Sequence, residues 1–512
     1  MINKWINDYK KTPAFTAMTT TIIFGLIVHL FVLTNSIHNY DDIAVQPAGV
    51  GTSLPSGRWF LYILKRIGDD TTGNFNLPWV NGLVFLLLIS LTVAFLVSAF
   101  GIKNKLFASI IGAGLVSFPS ITVVLFFKYT APHYGLAILL GVIAVWVTDR
   151  WRYGFSISTV LIALTLGIYQ AYFPWVVSIY LILLIKKAVE KETKAKNIIK
   201  KGFVYLGTMC VGLIEYFVVL KVMLKNTNTT LLDYQGISNM GKLPLSELPT
   251  LVFKAVKEFV LLPVKDYCSL ATSPILRLSY LTLALISLTM IIILLKKNKK
   301  KPLDIIITIT LCVLLPLAIN LIVLMGAAQV YTLMVLPFSL LLFVPIVLWD
   351  VPQKEKAFGK GTKVFSAISI GILAVIIFFN SYFANINYSS MYFTNRQVEN
   401  TMNSIITQIH MADGYTTDKR WAFVGTTDST YFNQRPWGEK HLYGGQTDVA
   451  TMLNQYSKIY WVYHYLGHRP IKIDGEELNL VGQLPEVVQM PVWPNNGSVK
   501  VIDEYVVIKL GE

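Results

Sequence analysis

The sequence predicts a polytopic α-helical membrane protein, with about eleven spans followed by a small C-terminal α/β domain. Three observations carry that reading. Of 512 residues, 54% are hydrophobic and only 14% are charged, against roughly 25% charged in soluble domains. The apolar residues form continuous runs of about 20, the length at which a helix crosses ~30 Å of hydrocarbon. Continuous runs, unlike alternating ones, argue against barrel strands. Between them lie Lys-rich stretches at 186–201, 296–301 and 354–363, the positive-inside pattern. The formal charge of +15 is thus explained by orientation, and no nucleic-acid partner is implied.

The elements follow in order. Residues 1–11 are basic and aromatic and suit the cytoplasmic interface. The first span, 17–34, is not followed by a small-residue cleavage site, so it reads as a retained helix running outward. An outer segment, 35–77, precedes spans at 78–100, 106–127 and 134–147. The apolar stretch 155–185 is interrupted at Gln170 to Pro174 and divides into two short helices. A seventh span, 203–224, leads to an outer loop, 225–277, whose portion 245–262 has the spacing of a surface helix. Spans at 279–295, 303–324, 331–349 and 364–383 complete the set. The count places the N-terminus inside and the C-terminus outside, with every basic cluster inside. After Asn385 the composition turns polar and the apolar runs shorten to strand length, at 421–425, 459–463 and 505–509. The expected division is therefore a membrane domain, 1–385, and an extracytoplasmic domain, 386–512, the latter long enough for its own core.

Chemistry concentrates in the first outer segment. Tyr40-Asp41-Asp42 sets two carboxylates at the mouth of the first span. One can take a proton from an attacking hydroxyl while its neighbour orients substrate; the same pair could instead cap a helix or sit solvated in a loop. Arg58, within Gly57-Arg58-Trp59, can grip a phosphate through its planar fork or simply anchor at the interface. Gly49, Gly51 and Gly57 lack the Lys-Ser/Thr ending of a phosphate loop. Asp69-Asp70 competes for the base role, although Thr71, Thr72, Gly73 and Asn74 suggest a turn. Lys128, at the outer end of the third span, and His133 beyond it could contact a phosphate or reach lipid headgroups. Tyr169-Gln170 and Tyr172 mark the helix break, where polar groups are tolerated if they line a cavity. Glu215 is an intramembrane acid, and pairing with a cation would account for it. Trp421, Trp437, Trp461 and Trp493 could stack on sugars, but core packing explains such residues more simply. Cys210, Cys268 and Cys312 are too scattered for a metal site or disulfide framework. No cofactor is assigned, and the sequence leaves a divalent cation open.

The Asp-Asp pair after the first span, Gly57-Arg58, Tyr169-Gln170, and the run from Met490-Pro491-Val492-Trp493-Pro494 through Gly497-Ser498 to Val506–Lys509 together resemble a known family. It is that of the bacterial membrane glucosyltransferases typified by the type II serotype-converting O-antigen enzyme, within the lipid-phosphosugar-dependent class called GT-C. The resemblance spans the chain in order. It implies inverting transfer of a sugar, expected to be glucose, from a polyprenyl-phosphate donor such as undecaprenyl phosphate glucose. The acceptor would be an envelope glycan outside the bacterial cytoplasmic membrane, a wall polysaccharide or teichoic acid if the host is Gram-positive. It also implies Asp41 or Asp42 as base, Arg58 and Lys128 on the donor phosphate, and Tyr40, Trp59, His133, Tyr169 and Gln170 around the substrates. A separate donor-lipid synthase and flippase would supply the donor. Two rival readings make different demands. A transporter or lipid-linked sugar flippase predicts internal repeats and charges at the midplane, whereas a non-catalytic wall-polymer binder would not need its acids.

Overall fold

The computed structural model describes residues 8, 10–44, 53–71, 75–232, 244, 246–326, 329–354, 360–428, 442–446, 448–454 and 457–511. Its contacts divide the chain into two units: Met1–Thr34, Gly49–Asn385 and Lys440–Gly445 form one, and Asn35–Ala48, Ile386–Glu439 and Gln446–Glu512 the other. Residues 35–48, which the sequence groups with the membrane domain, thus belong by contact to the second unit.

The helices are α1 (Pro13–Thr34), α2 (Tyr40–Ala44), α3 (Trp59–Thr71), α4 (Pro78–Phe100), α5 (Lys105–Val116), α6 (Pro119–Val124), α7 (Ala131–Arg150), α8 (Gly154–Ile168), α9 (Phe173–Val189), α10 (Ala195–Asn226), α11 (Leu248–Leu261), α12 (Pro274–Lys297), α13 (Pro302–Ile319), α14 (Leu340–Lys354) and α15 (Lys360–Met411). Among the described residues, eight helices are long and apolar enough to cross a membrane, and shorter apolar helices occur at Lys105–Val116, Gly154–Ile168 and Leu336–Val351. Ile23 and Ile27 on α1, and Phe203 and Ile214 on α10, are exposed; such surfaces are stable against lipid and not against water. This is a membrane protein.

Local chemistry sets the ends of these helices. Proline occupies the first turn of α4, α6, α7, α9, α12 and α13, where its missing N–H leaves no intrahelical bond unmade. Gly101, at φ +63°, closes α4 in the left-handed conformation, with its N–H directed to Ser98 O and Val97 O. Asn104 then caps α5, its Oδ1 accepting from Leu106 N at 2.8 Å and Phe107 N at 3.3 Å. The reversal between α4 and α5 therefore takes only four residues. Beyond it, α1 meets α5 closely at Gly112, where a Cβ would lie 2.8 Å from the Ala17 carbonyl oxygen.

The short turns of the first unit are tied to one another at a single, basic end. Asp149 at the end of α7 pairs with Lys187 of α9 and Lys201 of α10 and accepts from the Tyr205 hydroxyl. Asp304 accepts from Ala195 N at 2.7 Å and Lys301 N at 3.2 Å, and Asp350 accepts from Lys103 N at 3.0 Å. Asn298 Nδ2 donates to Val189 O and Lys300 Nζ to Thr193 O, each at 2.7 Å. These buried or half-buried acids offset the surrounding lysines and satisfy backbone amides that lipid would leave unpaired.

In the second unit, β1 (Arg420–Val424), β2 (Ile471–Lys472), β3 (Val499–Ile502) and β4 (Tyr505–Lys509) form one sheet in the order β2-β1-β4-β3. β1 runs parallel to β2 and β4, and β3 pairs antiparallel to β4. The two-residue period of the strands sorts their side chains. Trp421, Phe423, Val506 and Ile508 enter a core with α15, α16 (Val449–Asn454) and α17 (Ser457–His464). On the other face, Ala422 and Val507 join Val481 of α18 (Gly475–Gly482) and Val487 of α19 (Pro485–Val488). The result is a mixed sheet between two helical layers. The C-terminal motif noted in the sequence is structural here: the buried Lys509 donates through Nζ to Val488 O and Met490 O at 2.7 and 2.9 Å, and Trp493 N donates to Lys509 O at 2.8 Å.

Three sequence expectations give way. The helix at 364–383 does not stop where the composition turns polar but continues to Met411, because Val398, Met402, Ile405 and Ile409 recur at helical spacing and are buried. Residues 459–463, read as a strand, lie in α17. A short apolar run has no period that separates the two states, and here Ile459, Trp461 and Val462 are all buried. Asp69-Asp70, read as a turn, end the helix α3 and are exposed; the buried Trp59 and Leu61 hold that helix in place.

Lys458, on α17, lies over the Phe423 ring at 5.5 Å. Burial lowers its pKa from 10.5 to about 8, with Lys472 adding to the effect. Below pH 8 the folded state carries a desolvated charge. Between about 8 and 10.5 the folded protein sheds a proton that the unfolded chain retains, so stability from this group rises with pH. Lys458→Met should therefore raise the chemical-denaturation midpoint at pH 7, and its advantage should vanish as pH approaches 10.5.

Candidate active site

Within the first unit the site grows from the turn 53–58. Gly57 takes φ +72°, open to glycine at no steric penalty, and the turn closes through Gly57 N to Leu54 O at 2.9 Å and Arg58 N to Ser53 O at 2.8 Å. Two side chains from the bundle hold it. Gln170 Nε2 donates to Ser56 O and to the Tyr216 hydroxyl, both at 3.0 Å, and that hydroxyl donates to Gly57 O at 3.0 Å. Gln170 is placed for this by the break between α8 and α9, where residues 170–172 form a single 3-10 turn.

The clamped turn delivers Arg58, half-buried, into a set of tyrosines. Its Nη1 donates to the Tyr134 hydroxyl at 3.3 Å, and its Cζ stands 4.9 Å above the Tyr169 ring. Tyr134 and Tyr169 stack at 4.8 Å and 18°, while Tyr172 meets Tyr169 edge-on at 5.1 Å. The three rings are buried. Their faces constrain the plane of the guanidinium by π contact. The Tyr172 hydroxyl is buried with no hydrogen-bond partner among the described residues.

The other sequence candidates in this unit are dispersed around that cluster. Trp59 is buried with its ring against Gly167 of α8, where a Cβ would fall 2.7 Å from Cε2. Lys128 is fully buried in the turn before α7, which removes it from the headgroup role. His133 lies in the first turn of α7, beside Tyr134, and is half-buried. Glu215 is met by a hydroxyl, Thr159 Oγ1 at 2.9 Å, rather than by the cation the sequence suggested. Gly49, Gly51 and Trp437 lie outside the described residues. Trp421, Trp461 and Trp493 are buried in the core of the second unit, so packing accounts for them.

The acid pair belongs to the second unit. α2 is capped by Asn39, whose Oδ1 accepts from Asp41 N and Asp42 N at 2.9 Å each; the capping role is Asn39's. Asp41 is half-buried and Asp42 fully buried. Ile43 enters the core of the unit and Tyr40 packs against it. The preceding residue, His38, is held on both backbone faces by one amide: His38 N donates to Asn395 Oδ1 at 2.7 Å and Asn395 Nδ2 donates to His38 O at 2.9 Å. Its ring lies 4.7 Å from that of Tyr465.

The structure thus brings together Arg58, Tyr169, Gln170 and Tyr172, all singled out in the sequence. It adds Tyr134, Tyr216 and, around the acids, Asn395. Tyr134 borders a residue already singled out, and a count of tyrosines at helix ends would have found it. Tyr216 and Asn395 reach their targets only through the fold, so no local pattern marks them.

A family model described as Glucosyl transferase GtrII matches residues 30–349, a stretch that includes α2, the 53–58 turn and all the tyrosines of the Arg58 cluster. No curated protein matches the chain.

If Gln170 and Tyr216 hold the turn, Tyr216→Phe should destabilise the protein by about 1 kcal/mol and Gln170→Leu by about 2. Thermal unfolding would read the loss. Hydrogen exchange at the Gly57 and Arg58 amides should quicken in both variants, a local signature that general destabilisation would not confine to this turn.

Proposed function

Because this chain belongs to the GtrII family of glucosyltransferases, we propose that it transfers glucose from a polyprenyl-phosphate donor to an envelope glycan. The observation that carries the reading is the clamped Arg58 with its tyrosine surround. A guanidinium held in a fixed plane near the membrane surface suits a lipid phosphate both as ground-state ligand and as leaving group. The basic end of the bundle faces the cytoplasm by the positive-inside rule. Eleven crossings, made by the eight long helices and the three shorter apolar ones, then carry the second unit and the Arg58 turn to the outer side.

The reaction is a single displacement. The acceptor hydroxyl oxygen forms a bond to the anomeric carbon from the face opposite the phosphate, and the bond from that carbon to the phosphate oxygen breaks, inverting the configuration. The electron pair leaves on the phosphate, where Arg58 stabilises it, with Lys128 as a second cation for the donor. The hydroxyl proton passes to a carboxylate of the Asp41-Asp42 pair. Asp41 keeps access to solvent and takes the base role, while the buried Asp42 positions it. Tyr40, His133, Tyr169, Gln170 and Trp59 shape the substrate surroundings.

Purified protein with undecaprenyl phosphate glucose and an envelope extract tests this directly. Asp41→Asn should lower transfer by about 10²–10⁴-fold with donor binding retained. Arg58→Gln should lower it by about 10²–10³-fold and weaken donor binding as well. Wild-type activity in both Asp41→Asn and Asp42→Asn would move the base elsewhere. A nucleotide sugar that served as well as the lipid donor would overturn the donor assignment.

A further inference from the structure

α12 and α13 are joined by the four residues 298–301, a turn short enough for two helices to pack side by side. Their main neighbours differ: α12 packs chiefly on α14 and only lightly on α9, whereas α13 packs chiefly on α9 and also on α11. The divergence opens a groove of about 660 Å³ between them. Its walls are apolar, with Leu288 and Ile292 on α12 and Ile309 and Val313 on α13, all exposed. At one end the lining changes to Lys296, Lys299 and Lys300, and among the described residues no acidic one lines it. Asp304, on the first turn of α13, has its carboxylate directed to the Ala195 and Lys301 amides. The lysines belong to the same basic end that ties the turns together, where Lys300 also donates to Thr193 O.

We propose that this groove binds an anionic phospholipid, its headgroup phosphate on Lys296 and Lys299 and an acyl chain along the α12–α13 cleft. In a bilayer an apolar cleft of this size is filled by a chain, and a cluster of cations at the headgroup level selects a negative headgroup. Depth favours a phospholipid over a polyprenyl chain. From Leu288 to the end of α12 the groove runs ~13 Å at 1.5 Å per residue, close to half of the ~30 Å hydrocarbon core and so to one leaflet. The proposed site lies at the membrane end opposite to the Arg58 turn's assigned side and is independent of the transfer reaction.

Native mass spectrometry of the delipidated full-length protein would test it with phosphatidylglycerol, phosphatidylcholine, undecaprenyl phosphate and inorganic phosphate as separate probes. Phosphatidylglycerol should be retained at least tenfold better than phosphatidylcholine. Lys296→Gln with Lys299→Gln should abolish that preference, and Val313→Trp, which fills the cleft, should reduce binding of both phospholipids; circular dichroism would confirm that each variant is folded. Equal retention of the two phospholipids, or a preference unchanged by the lysine substitutions, would overturn the proposal. So would stronger retention of undecaprenyl phosphate, which would make the groove a polyprenyl site. Complete competition by inorganic phosphate would reduce it to a headgroup contact with no role for the chain.

Discussion

The arrangement of the membrane helices depends on how charge is handled where lipid cannot solvate it. Asp149, Asp304 and Asp350 sit at one end of the bundle, and each takes hydrogen bonds from a neighbouring element: lysines and a tyrosine in the first case, backbone amides in the other two. An unpaired carboxylate or amide at these depths would carry a penalty of several kcal/mol. Satisfying them fixes which turns are neighbours. Proline at helix starts and glycine or asparagine at the reversals give the chain turns short enough to make these contacts.

At the other end the logic is reversed. Arg58 is presented by a turn that is itself held by neutral hydrogen bonds from Gln170 and Tyr216, and it is bordered by tyrosine faces. The interruption at 169–172 places the Gln170 side chain to donate to the Ser56 carbonyl of another segment.

Much of this was legible before the fold. Long apolar runs, proline punctuation and the lysine clusters gave helices such as those at 78–100 and 279–295 near their observed limits, since these signals are local and strong, whereas the run 106–127 breaks at Ser117 and the helix expected from 331 begins only at Leu340. The helix break at Gln170 was legible for the same reason, and so were the strands at 421 and 505. What the sequence misplaced depended on distant partners. Ile459–Tyr463 is as apolar as a strand, and only its burial on successive residues makes it helical. The helix at 364–383 was expected to end where the composition turns polar, yet it persists to Met411 on a new apolar stripe. Of the site, the charged residues stood out by their chemistry. The residues that aim them, Tyr216 and Asn395, resemble any other polar residue until the chain has folded.

The pairing of His38 with Asn395 joins positions 357 residues apart. The acid pair is therefore held in place by a residue far along the chain, inside a stretch beyond the matched family region. Such a protein is not modular in the usual sense. A recombination event that exchanged everything after residue 385 would import a new sheet while keeping the old acid-bearing segment, and the two would meet without having varied together. Change in residues 35–48 is then constrained to proceed together with change in the C-terminal unit, and natural chimeras should have junctions that keep the two with a common ancestor.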